Sequence, residues 1–109
     1  MIVTTGNDVS GYRISDYLGI VRGIVVRSPS IAQGIVGGLQ RIVGGNNETY
    51  AAVCEQARED AYQRMVIHAD ELDADAIIAV RYDATEFSDS VTEVLAYGTA
   101  VRLEANLPR

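Results

Sequence analysis

Ile42-Val43-Gly44-Gly45-Asn46-Asn47-Glu48-Thr49-Tyr50 and Leu72-Asp73-Ala74-Asp75-Ala76-Ile77-Ile78 bracket the part of this chain whose reading decides the fold. Two glycines stop an apolar segment, and Asn46 or Asn47 then offers an N-cap for a new helix. Tyr50, Cys54, Ala57, Ala61, Met65, His68 and Leu72 follow at helical spacings, which predicts one continuous seam down a helix of about six turns. Glu55, Glu59, Asp60, Gln63 and Arg64 fall off that seam and are expected to face water. Small Ala57 and Ala61 predict a close approach to a sheet, and Ala76-Ile77-Ile78 opens a strand directly after the helix.

Working outward, Ile2 to Thr5 reads as a short strand closed by the turn signal Gly6-Asn7. Tyr12 to Arg27 reads as a long strand, stopped by Ser28-Pro29-Ser30, in which Gly19 and Gly23 mark a bulge or a close backbone approach. Residues 31 to 43 change period: Ile31, Ile35, Leu39 and Ile42 lie on a helical stripe that contains Gly34, Gly37 and Gly38. Each of these glycines costs about 1 kcal/mol relative to alanine in a helix, so this short Gly-rich helix needs a partner close against its backbone. Ala76 to Thr85 and Val91 to Leu103 read as two further strands. In the first, Ile78, Val80 and Tyr82 are expected on one face, opposite Arg81 and Asp83. In the second, Val91, Leu95, Tyr97, Val101 and Leu103 share one face, and Val94, Ala96 and Ala100 line the other. One helix cannot cover both faces of such a sheet, which predicts self-association.

The 109 residues fit one α+β domain spanning 1–109, with a modest core. No apolar run is long enough to span a bilayer, and no basic-then-apolar leader opens the chain, so a cytoplasmic location is expected. One cysteine, Cys54, cannot form an internal disulfide, which suits a reducing compartment. The net charge is −6 and all nine basic residues are arginine, which argues against nucleic acid or an anionic membrane as partner. The absence of lysine also excludes Schiff-base chemistry and a P-loop lysine.

Gly19-Ile20-Val21, Ile42-Val43-Gly44-Gly45, Tyr50, Ala57-Arg58, Leu72, Ala74-Asp75-Ala76-Ile77-Ile78 and Gly98-Thr99-Ala100-Val101 follow in an order that resembles the YbjQ family of small prokaryotic proteins. The resemblance implies an α+β subunit with one long helix on a curved antiparallel sheet, assembled as a ring-shaped homopentamer. It implies no reaction, and members carry a heavy-metal-binding label. Two positions depart from the family pattern. Asn46 stands where a basic residue is common, and Asp73 stands where glycine usually follows Leu72, which leaves the helix without a favourable C-cap.

Cys54 and His68 are fourteen residues apart on one helix, about 21 Å, and cannot share a soft metal within a subunit. Cys54 is expected to be buried as a small hydrophobe and His68 to sit at the edge of the core. The carboxylates of Asp70, Glu71, Asp73 and Asp75 lack the glycine and distal glutamate of an EF-hand loop and read as a solvated acidic turn. Gly44, Gly45 and Asn46 at a helix N-terminus, with Arg58 two turns on, form the candidate ligand-binding site, although Glu48 opposes an anion there. Arg58 is expected to contact a carbonyl or carboxylate near the Gly44-Gly45 turn. No residue is assigned a catalytic role, because one histidine, one cysteine and no lysine leave few activated groups. The reading is a non-enzymatic homo-oligomeric ring that binds a small ligand or a partner protein. The alternatives are a metal site shared between subunits and, third, a carboxylate enzyme at a subunit boundary.

Overall fold

The computed structural model describes residues 1–27, 47–88 and 91–106. Within them, four strands and one helix form an α+β unit: β1 (Ile2–Val3), β2 (Tyr12–Arg27), α1 (Asn47–Glu71), β3 (Ala76–Ser88) and β4 (Val91–Ala105). The segment 31–43 expected as a Gly-rich helix lies outside the described residues, as do Gly44, Gly45 and Asn46. The sheet order is β1-β3-β4-β2. The β2–β4 and β3–β4 pairs are antiparallel, while the two-residue β1 runs parallel to β3 at the sheet's edge.

α1 lies on one face of this sheet. Its buried stripe is Ala57, Ala61, Met65 and Ala69, packed with Val21, Val25, Ile77, Val80, Ala96 and Ala100. The middle of the expected seam is therefore in place, but Cys54 and Leu72 are exposed, and Ala69 takes the inward position. Steps of four residues advance about 40° around the helix, so the stripe winds instead of running straight, and the surface beneath it is a twisted sheet. Arg64, expected in solvent, reaches back so that its Nη1 donates to the Ile24 carbonyl at 2.6 Å.

The two glycines singled out in β2 serve different ends. Gly19 has φ +114° and sits at a register shift between Tyr17 and Gly19, so it is a bulge. Gly23 instead lets the backbone of α1 touch the sheet. A second bulge, in β3, corrects an expected face assignment. Ala79 has φ +53°, and the register with β4 slips between Ile78 and Arg81. Ile77 and Val80 consequently both face α1, whereas Ile78 turns to the opposite face with Ala76 and Val101. Ile78 and Val80 thus do not share a face. The N-terminal segment pins this bulge: Ala79 N donates to the Gly6 carbonyl at 2.8 Å and Val80 N to the Thr4 carbonyl at 3.0 Å.

The end of α1 supplies another correction. Ala74 N donates to the Ala69 carbonyl at 3.1 Å and Asp73 N to the Asp70 carbonyl at 3.0 Å, while Asp73 itself has φ +58°. That is a Schellman cap formed without glycine, with Ala74 closing back onto the core around Ala69. Asp73 replaces glycine there because the short polar side chain of aspartate tolerates the left-handed region better than most residues do.

Candidate functional site

Strand alternation carries Val21, Gly23, Val25 and finally Arg27 onto the face of β2 that α1 covers. Opposite Arg27 stands Thr92 of β4, and two residues on comes Val94; Tyr82 and Ala84 of β3 occupy the same face. α1 passes above them with Val53, Cys54, Ala57 and Arg58. Between helix and sheet a cleft of about 390 Å³ remains open. Its lining is largely apolar, with Val53 and Ala57 of α1 on one side and Ala84 and Val94 of the sheet on the other, and Arg27, Arg58 and Tyr82 supply its polar groups.

Arg27 is the unusual member. Its side chain is only 15% exposed, and its Nε is buried with no hydrogen-bond partner among the described residues. Its nearest carboxylate, Asp60, stands 3.9 Å from Nη2, beyond hydrogen-bond reach. An unpaired guanidinium N–H out of water is costly unless something accepts it. Arg58, by contrast, is exposed and lies 4.0 Å from Glu55 one turn away. Burial, reinforced by Tyr62 and Glu59, holds the Tyr82 phenol above its ordinary pKa, with Arg58 opposing. The hydroxyl is therefore kept protonated, as a donor.

Of the sequence candidates, Arg58 lines this cleft, whereas the expected contact of Arg58 with the Gly44-Gly45 turn falls outside the described residues. Cys54, expected buried, is exposed at the cleft's edge, because Val53 and not Cys54 continues the inward stripe one step above Ala57. Arg27 and Tyr82 were not singled out from sequence. Parity along β2 was the available signal for Arg27, since it places an arginine two residues beyond inward Val25.

The side chains do not suit a soft metal within one subunit. His68 Nδ1 is occupied, accepting the Arg22 backbone N–H at 3.2 Å, and Met65 is fully buried. Cys54 stands alone, and no three His, Cys, Asp or Glu side chains converge among the described residues. In the acidic turn, Asp75 is engaged structurally: its Oδ2 accepts Leu103 N at 2.9 Å, holding the end of β4.

The same architecture occurs elsewhere. A solved structure from Pediococcus pentosaceus, described as a protein of unknown function in the DUF74 family, matches with a TM-score of 0.62 at 20% identity, covering 95% of this chain and 98% of that one. At that identity the likeness is one of fold. Sequence relatives are nearer. A UPF0145 protein of Legionella pneumophila (strain Corby) is 58% identical over 93% of this chain and 96% of its own length. Another UPF0145 protein, from Chromobacterium violaceum, is 53% identical over 94% of this chain and 88% of its own. The YbjQ family model, described as "Putative heavy-metal-binding", matches residues 1–104. With nearly the whole length matched, the chain belongs to the YbjQ family.

Proposed function

We propose that this chain is the subunit of a non-enzymatic, closed homo-oligomeric ring that works by binding a small ligand or a partner protein. One observation carries the assembly: on the sheet face turned away from α1, β2 and the adjoining part of β4 leave large apolar side chains exposed among the described residues. Tyr17 is 71% exposed and Ile20 69%, and Ile24, Val26 and Tyr97 are exposed beside them. On that face Ile24 pairs across to Leu95, and Arg22 to Tyr97. Several large apolar side chains exposed on one face of a small protein commonly mark an interface. Closed cyclic symmetry buries every copy of it equally. The residues argue for more than one copy, and the likeness to the YbjQ family makes five the expected number. No helix among the described residues is long and apolar enough to cross a membrane, which supports water as the medium of this assembly and fits the proposed cytoplasmic setting.

Size-exclusion chromatography with light scattering tests the reading. A mass several times 11.8 kDa is expected. A stable, soluble species of 11.8 kDa contradicts it.

A further inference from the structure

We propose that the cleft between α1 and the sheet binds a small monocarboxylate with an apolar body, its charge held between Arg27 and Arg58 and its hydrocarbon part resting on Val53, Ala57 and Val94. The proposal rests on the ligand-binding half of the reading above and is independent of the ring.

Three observations converge. First, the cleft of about 390 Å³ is within the range that small-molecule sites occupy, and its lining is largely apolar. Second, Arg27 brings a largely buried guanidinium whose Nε has no acceptor among the described residues, and planar guanidinium donors match carboxylate geometry. The neighbouring Asp60 at 3.9 Å and the Arg58–Glu55 spacing of 4.0 Å leave both arginines with donors to spare. Third, the charge around the cleft selects against a dianion. Glu55 and Asp60 approach the two arginines, so a phosphate would meet more repulsion than a single carboxylate. Tyr82, with its hydroxyl kept protonated, adds a neutral donor that suits either oxygen of the ligand.

Cys54, the only cysteine of the chain, stands at the cleft and reports occupancy. The test uses the whole protein and three probes: 4-ethylbenzoate, the neutral 4-ethylbenzamide and 4-ethylphenyl phosphate. Titration calorimetry is expected to give at least about tenfold tighter binding of the benzoate than of the amide, from the charged hydrogen bonds it alone makes. The phosphate is expected to bind more weakly than the benzoate. Saturating benzoate should slow alkylation of Cys54 by N-ethylmaleimide. Arg27→Gln should remove the preference for benzoate over amide. Asp60→Asn, which withdraws the competing carboxylate, should tighten benzoate binding severalfold. Because Arg27→Gln risks loss of the fold, the wild-type comparison of the three probes and the Asp60→Asn variant decide without it. Equal affinity for benzoate and amide, preference for the phosphate, or no binding at millimolar probe overturns the proposal. So does unchanged Cys54 labelling at saturation. A ring that fails these tests sinks the proposal alone, and a monomer that passes them sinks only the assembly.

Discussion

Gly23 of β2 lies directly beneath the Ala61 carbonyl of α1. A Cβ built at Gly23 would stand 2.5 Å from Met65 N and 2.8 Å from Arg64 Cβ, and nearer still to the Ala61 oxygen. Backbone meets backbone at this point, so neither side has a flexible chain end that could move aside. The separation of helix and sheet, and with it the width of the cleft further along α1, is set here.

Gly23→Ala should therefore cost about 3 kcal/mol, the upper part of the usual overpacking range. Gly6→Ala, where a Cβ would meet Thr4 Oγ1 at an ordinary 3.5 Å, serves as the control and should stay within about 0.5 kcal/mol. Urea unfolding of both variants checks this. Equal midpoints would mean that the helix does not sit where it is described.

Much of this was legible beforehand, and the failures have physical causes. β2 ends at Arg27, just before Ser28-Pro29-Ser30 in the sequence, and Gly19 and Gly23 each mark one of the two backbone events that their freedom permits. Simple alternation misplaces Ile78 because it assumes an unbroken ladder, and an alanine at φ +53° gives no compositional sign of a bulge. A straight seam carries Cys54 inward and misses Ala69, whereas the helix winds over a twisted sheet and buries Ala69 instead. The cleft could not be read at all. Arg27, Cys54, Arg58 and Tyr82 come from β2, α1 and β3, and only tertiary packing brings them together.

Asp73→Gly should stabilise the protein by about 1 kcal/mol, since Asp73 holds φ +58° and glycine relieves the left-handed penalty. Removing a carboxylate from a helix C-terminus works in the same direction. Thermal melting reads the change. A lowered midpoint would show that the aspartate side chain holds the cap through a contact of its own.

Asp75→Ala should lose about 1 to 2 kcal/mol, because the bond from Leu103 N to its carboxylate is charge-assisted. Hydrogen exchange at Leu103 is the specific check: its amide should lose protection more than neighbouring β4 amides do. An unaltered Leu103 rate would remove Asp75 from its structural role.

Tyr82 links the cleft to alkaline pH. Its pKa is raised in the folded state above the ordinary tyrosine value, chiefly by burial. A raised folded pKa means that the associated stability is intact below the unfolded pKa and is lost as pH rises through the folded one. Spectroscopic titration of phenolate should show one late-ionising tyrosine that disappears in Tyr82→Phe. The variant should also lose less stability than the wild type above about pH 10. Identical titration curves, after allowance for one fewer tyrosine, would contradict the placement of Tyr82 against α1.

Copies of this chain are proposed to associate through the β2–β4 face turned away from α1, on which Ile20 and Ile24 stand exposed. Native mass spectrometry of the wild type beside the Ile20→Glu, Ile24→Glu double variant tests it most directly. Both changes lie on the face away from α1 and should leave the fold intact, as circular dichroism will verify. A single closed assembly, five subunits in number, is expected for the wild type and a folded monomer of about 11.8 kDa for the variant. A monomeric wild type, or a variant that assembles as the wild type does, would contradict it.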